Sequence, residues 1–245
     1  MPLDYETLRQ KLQWNCVGDR LFRDGADHYL IDKYRFERAA SAFPNARHAV
    51  IADVGSYPGY GIWAFRDSAG YIGIGKCPDW YRSEIASMGL EWIDCDFESS
   101  IPIGPASRPP DITMLQEVIE HIRQPKKFLS RLHAWMPSGT RLYVTTNNQS
   151  YIGYILKQLA LRDIFDPAMT EDTVYPGHCT YYSLGGLSDL LRGIGFEVMS
   201  ARRVNFLPPP PLYRNTLAAS AKNLLIHSLP SWYATHIEVV CRKPS

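Results

Sequence analysis

Val50-Ile51-Ala52-Asp53-Val54-Gly55-Ser56-Tyr57-Pro58-Gly59-Tyr60-Gly61 runs from an apolar segment through an acid into a glycine-punctuated turn. Val50 to Val54 are too few and too β-branched for a buried helix, so they read as a buried strand. Gly55 and Gly59 mark backbone that turns tightly or lies close to another group. In a parallel α/β sheet, ligands sit beyond the carboxyl ends of the strands, where the next helix presents free N–H groups. The turn is therefore a candidate site for a nucleotide-like ligand. Asp53 would repel a pyrophosphate, but it can accept from the amines and hydroxyls of a cationic nucleoside. Glycines at 55, 59 and 61 also depart from the G-x-G-x-x-G spacing of dinucleotide sites. The structural alternative is a strand and a tight turn with no ligand.

Outward from this strand, helical and strand patterns alternate. Upstream, Tyr29, Leu30, Tyr34, Ala39, Ala40 and Phe43 fall near helical spacing ahead of Pro44 and predict a helical cover. Downstream, a helix is expected over 62–65, closed by Ala69-Gly70, then a second strand over 71–74 ending at Gly75-Lys76. Pro78 breaks the chain, and Asp79 can cap a helix running towards Met88-Gly89. Further strands are expected over 91–94, 111–115, 141–145, 196–201 and 236–241. A helix from Pro125 carries Phe128, Leu129, Leu132 and Met136 on one face and stops at Pro137-Ser138-Gly139. An apolar helix is expected over 151–161, and Ser183 caps another whose inner face is Leu184, Leu187, Leu190 and Leu191 before Gly193 to Gly195 end it. Pro208 to Pro211 form a stiff connector, followed by an amphipathic helix over 217–229. This alternation predicts an α/β fold whose mostly parallel sheet is covered on both faces.

A chain of 245 residues suits one α/β domain. With 45% hydrophobic and 21% charged residues and a formal net charge of +1, it is globular and has no bulk attraction to nucleic acid. Cys16, Cys77, Cys95, Cys179 and Cys241 show no C-x-x-C pairing, which suits free thiols in a reducing compartment and forms no zinc knuckle. No signal peptide is legible, nor any uninterrupted apolar stretch near the roughly 18 residues that span a bilayer, so a cytoplasmic location is expected.

Five motifs occur in order: Asp53-x-Gly55-Ser56-x-x-Gly59, Glu117-Val118-Ile119-Glu120-His121, Pro137-x-Gly139, Thr145-Thr146-x-Asn148, and His178-x-x-Tyr181-Tyr182-Ser183 with Gly195-Phe196. Together, from about residue 34 to 203, they resemble the class I S-adenosylmethionine-dependent methyltransferases. The resemblance implies a Rossmann-like class I methyltransferase fold: a seven-stranded, mostly parallel sheet with helices on both faces and one antiparallel strand near the C-terminus. On this reading residues 1–245 form a single domain, with a helical cover (1–45), a cofactor-binding core (46–203) and a connector, helix and last strand (204–245). It also implies that Asp53, Gly55, Ser56 and Gly59 hold the methionine part of the cofactor S-adenosyl-L-methionine. Asp96 and Phe97 would hold adenine, a carboxylate accepting from the exocyclic amine beside an aromatic face. Gln116 would lie near the sulfonium. Tyr34 and Arg35 could reach the cofactor carboxylate, with a solvated helix face as the alternative. Gly75 takes the ribose position, where the family has Asp or Glu. Loss of that charge-assisted bond, worth about 1.5–3 kcal/mol, would weaken cofactor binding roughly ten- to a hundredfold. Asp79 is a candidate substitute, with backbone or water as the alternatives.

Glu117, Glu120 and His121 stand at i, i+3 and i+4, a spacing that places them on one face of a helical turn opening at the ligand end. Two carboxylates and an imidazole suit Mg²⁺, Mn²⁺, Fe²⁺ or Zn²⁺, with His178 as a fourth ligand. The set resembles the Glu-x-x-Glu-His motif of ubiquinone-biosynthesis O-methyltransferases and small-RNA terminal 2′-O-methyltransferases, in which a divalent metal holds the substrate hydroxyls. The alternative is a structural Glu120 with His121 as a metal-free general base. The catalytic candidates are His121 and Glu117. His28, His48, His133, His227 and His236 are expected at the surface or in packing. Tyr151, Tyr154, Tyr175, Tyr181 and Tyr182 are candidates to line an acceptor pocket, with packing as the alternative. The expected activity is methyl transfer, O-directed, onto a small-molecule or sugar-containing acceptor. N-methyl transfer is an alternative, as is an RNA end, which the net charge disfavours. A scaffold subunit that no longer uses the cofactor is the third.

Overall fold

The structure, a computed structural model, describes residues 35–56, 60–65, 67–77, 79–151, 155, 159, 177–206 and 234–245. Seven strands form one sheet: β1 (Val50–Val54), β2 (Gly70–Ile74), β3 (Glu91–Ile93), β4 (Ile112–Gln116), β5 (Arg141–Asn147), β6 (Glu197–Val204) and β7 (His236–Arg242). Their order is β3-β2-β1-β4-β5-β7-β6. The first five are mutually parallel, and β7 runs antiparallel to both β5 and β6. The strand order therefore reverses between β1 and β4, the switch point at which open α/β sheets leave a crevice beyond their carboxyl ends.

Helices among the described residues include α1 (residues 35–42), α2 (Tyr60–Ala64), α3 (Asp79–Ser87), α4 (Pro125–Trp135) and α5 (Leu184–Ile194). Alternate side chains of each strand point to opposite faces, and the apolar ones divide accordingly. Val50, Ala52, Val54, Ile72, Ile74, Val144 and Val239 pack with Phe128, Leu129 and Leu132 of α4 and Leu187 and Leu191 of α5. On the other face Ile51, Ile112, Met114 and Tyr143 pack with Ala39, Phe43, Ile62 and Ile85. Every residue of β1 is buried, as a central parallel strand requires. Pro125 opens α4 as expected. Ser183 Oγ accepts from the Gly186 N–H at 3.0 Å to cap α5, and Gly195 closes that helix at φ 115.

β5 runs two residues beyond the expected 141–145 because β7 pairs with it to its end, with Thr146 opposite Ile237 and Asn147 opposite His236. β6 is shifted to Glu197–Val204 by the same partner. β3 stops at Ile93, α2 starts at Tyr60, and Gly70 opens β2 instead of closing a helix. At the middle of β7, fully buried Glu238 accepts from Arg38 Nε of α1 and from the Tyr143 hydroxyl of β5, each at 2.8 Å, and from Arg202 Nε of β6. Burial pushes this carboxyl up, but the Tyr143, Arg38 and Arg202 donors outweigh it and hold it below the usual range.

The expected cover ahead of residue 35, Pro58 and Gly59, most of the 151–161 helix, the proline connector and the 217–229 helix lie outside the described residues. No helix among the described residues is long and apolar enough to cross a membrane.

Candidate functional site

At the carboxyl end of β1, Gly55 adopts φ 77 and its N–H donates to the Ile74 carbonyl at 2.8 Å. A Cβ here would overlap Val118 Cγ2, so the chain's own packing demands glycine at this position. Asp53 and Ser56 are both buried. The Tyr71 hydroxyl donates to Asp53 Oδ2 and lies 3.1 Å from Ser56 Oγ. The two side chains thus meet Tyr71 inside the protein, which leaves the main-chain groups of the turn as those able to hold a ligand. Burial pushes the Asp53 carboxyl up to about 6, although Tyr71, Arg35 and Ser56 each pull it down.

At the end of β2, Gly75 adopts φ 146, and a Cβ on it would meet Phe97 Cζ at 3.3 Å and Gly55 Cα at 3.9 Å. The backbones of Gly55 and Gly75 therefore lie close together at the strand ends, with Val118 against the one and Phe97 against the other. Lys76 Nζ lies 2.8 Å from Asp96 Oδ2, and Asp96 Oδ1 accepts from the Glu98 N–H at 2.9 Å. Lys76 above all holds the Asp96 carboxyl below its ordinary value. Phe97 packs on Phe128 with ring centroids 5.0 Å apart. The Asp79 side chain is fully exposed, with Arg82 as an ion-pair partner at 3.9 Å.

At the end of β4, Gln116 is buried, and both polar atoms of its carboxamide lack a hydrogen-bond partner among the described residues. Orphaned buried amides are rare in folded chains, and one at a switch-point crevice marks a place for a polar ligand. The helical turn expected from Glu117 to His121 does not form. Glu117 is the one non-glycine described with positive φ, at 54, and only Ile119–His121 make a 3-10 turn. The bend turns the Glu117 carboxylate towards β7, with Oε2 3.4 Å from His236 Nε2. Burial pushes Glu117 up, but His236 and then Arg35 outweigh it and hold the carboxyl low.

Glu120 is fully buried, accepting from Thr146 Oγ1 at 2.8 Å and from Asn147 Nδ2 at 3.4 Å. Burial and the neighbouring Glu117 carboxylate push its own carboxyl well up. Its carbonyl accepts from the N–H groups of Cys179 and Thr180 at 2.7 and 3.2 Å. Those bonds dock the 177–182 segment and bring the His178 ring to 4.8 Å from that of His121. One ligand atom from each of Glu120, His121 and His178 falls within 4.8 Å of the others, and Glu117 is not in this group. Of the four residues expected to gather, three come together, and the backbone bend at Glu117 turns its carboxylate away towards His236. His178 Nδ1 contacts the Tyr181 hydroxyl at 3.1 Å.

His236 is the residue that sequence reasoning missed. Its position opposite Asn147 comes from the β5–β7 register, for which no local pattern speaks. Tyr182 is buried in the core, a packing role, while Tyr154 and Tyr175 lie outside the described residues. His48 is exposed and His133 packs edge-on against Phe196, as expected.

The family described as "Methyltransferase domain" matches residues 26–201. No curated protein matches the chain. Among solved structures, the methyltransferase in complex with the Haloferax volcanii Trm112 methyltransferase activator has a TM-score of 0.62 at 16% identity, covering 97% of this chain and 98% of that one. The S-adenosylmethionine dependent methyltransferase from Mesorhizobium loti has a TM-score of 0.56 at 15% identity, covering 89% and 99%. The Burkholderia thailandensis 1,6-didemethyltoxoflavin-N1-methyltransferase, bound to 1,6-didemethyltoxoflavin and S-adenosylhomocysteine, has a TM-score of 0.54 at 17% identity, covering 100% and 91%. At these identities the likeness is one of fold.

Proposed function

The chain belongs to the class I S-adenosylmethionine-dependent methyltransferases, and on that premise we propose that it methylates a hydroxyl oxygen of a small-molecule or sugar-containing acceptor. The cofactor fits the strand ends. Glycine backbone at 55 and 75 beside the strand ends and a buried Gln116 carboxamide with no partner among the described residues support that placement. Arg35 of α1 is close enough to Asp53 and Glu117 to lower both carboxyls, which supports a cofactor carboxylate near it.

The observation that carries the choice of a hydroxyl is the Glu120, His121 and His178 group. One oxygen and two nitrogen donors suit Zn²⁺, Mn²⁺ or Fe²⁺ better than Mg²⁺. The Tyr181 hydroxyl on His178 Nδ1 is the kind of outer contact that orients a ligating imidazole. A divalent ion held there would supply Lewis acidity to lower the acceptor hydroxyl's pKa. The remaining work is the chain's own. The crevice walls align the acceptor oxygen with the methyl carbon, and the proton of the acidified hydroxyl passes to solvent as the C–O bond forms and the C–S bond breaks; with no ion held, His121 would receive that proton instead.

The test offers the purified protein S-adenosylmethionine with a panel of catechol, saccharide and amine acceptors, with and without a strong chelator, and reads the products by mass spectrometry. Methyl ethers that vanish in chelator and in Glu120→Ala are expected. Products on amines alone would refute the oxygen assignment, and full turnover in chelator would refute the metal.

A further inference from the structure

In nucleoside-binding α/β sheets, an acid following the second strand takes the ribose, its carboxylate accepting from the hydroxyls. Here the position is Gly75, whose φ of 146 and whose 3.3 Å approach to Phe97 leave no unstrained place for an acid side chain. The next residue is a cation. Lys76 projects from the end of β2, its Nζ 2.8 Å from Asp96 Oδ2 beyond the end of β3, while the Glu98 N–H takes Asp96 Oδ1 at 2.9 Å. Asp96 is thereby fixed from two sides, and it fixes the ammonium in turn. An ammonium has three donors, of which Asp96 uses one. The Lys76 side chain is 70% exposed, so the ammonium stays open to solvent and to a ligand at the end of β2, one residue after Gly75. Ribose hydroxyl oxygens accept as well as donate.

Resting on the cofactor site proposed above, we propose that Lys76, anchored by Asp96, replaces the missing acid and holds the ribose by donating to its hydroxyl oxygens. The hydrogen-bond polarity of the ribose subsite is reversed. An exposed ion pair of this kind contributes little to folding, so removing Lys76 acts on the ligand and not on the fold.

The experiment is calorimetric titration of the wild-type chain, Lys76→Ala and Lys76→Met with S-adenosylhomocysteine and with its analogue lacking both ribose hydroxyls. Both variants are expected to melt with the wild type and to bind S-adenosylhomocysteine roughly ten- to a hundredfold more weakly, while binding the analogue as the wild type does. Wild-type affinity in the variants, or an equal loss for both ligands, would overturn the role of Lys76 and leave the cofactor site standing. A wild-type chain that takes up neither ligand at millimolar concentration would overturn both.

Discussion

Asp53 sits in the sheet with Tyr71 and Ser56 as its polar neighbours, and burial keeps its proton bound up to about pH 6. In an unfolded chain the same carboxyl titrates near 3.9. Between those values the folded state binds more protons than the unfolded one, so stability falls as pH rises from about 4 through 6 and then levels. The gap corresponds to about 3 kcal/mol. Asp53→Asn keeps an acceptor for Tyr71 and cannot ionise, so in urea titrations it should gain on the wild type between pH 4 and pH 7. Identical pH dependence in the two proteins would show that Asp53 does not carry the effect. At this scale, legibility depends on residue type. Gly55 and Gly75 announce unusual backbone because glycine tolerates positive φ. Glu117 carries no such mark, and the i, i+3, i+4 spacing assumes a helix that its φ of 54 prevents. A non-glycine held there costs on the order of 1–3 kcal/mol and persists where the surroundings require it, as they do next to His236.

Among the elements, β7 carries the most connections. Glu238 draws α1, β5 and β6 together through Arg38, Tyr143 and Arg202. Removing a buried carboxylate that satisfies three donors strands them, so Glu238→Ala should lose about 3–5 kcal/mol by chemical denaturation, with Glu238→Gln in between. A loss below about 1 kcal/mol would mean that water replaces the carboxylate. The strands and caps were legible because their signals are local: β-branched runs, Ser183 before α5, Gly195 after it. The pairing of β5 with β7 was not, since nothing near residue 147 speaks of residue 236. Likewise His178 reaches His121 through main-chain bonds from Cys179 and Thr180 to the Glu120 carbonyl, and such bonds leave no trace in residue type. The Glu-x-x-Glu-His spacing therefore led to the region where Glu120, His121 and His178 meet, but not to the bend that separates Glu117 from them.

For the whole molecule, the crevice at the β1–β4 switch point couples ligand binding to global stability. S-adenosylhomocysteine at a hundred times its Kd should stabilise the folded chain by about 2.7 kcal/mol. For a chain of this length that raises the melting midpoint by roughly 5–10 °C, which differential scanning fluorimetry would read. No shift at millimolar ligand would contradict a cofactor site at the switch point.

The placement of β7 between β5 and β6 has a further consequence for how the protein is made. β6 precedes β7 in the chain, yet among the described strands it pairs with β7 alone. Because residues 205 to 235 separate the two strands, the β6 segment leaves the ribosome before β7 and for that interval has no strand to join. A nascent chain stalled in that interval would present a bare, adhesive edge, and it is then that a cotranslational chaperone has most to do.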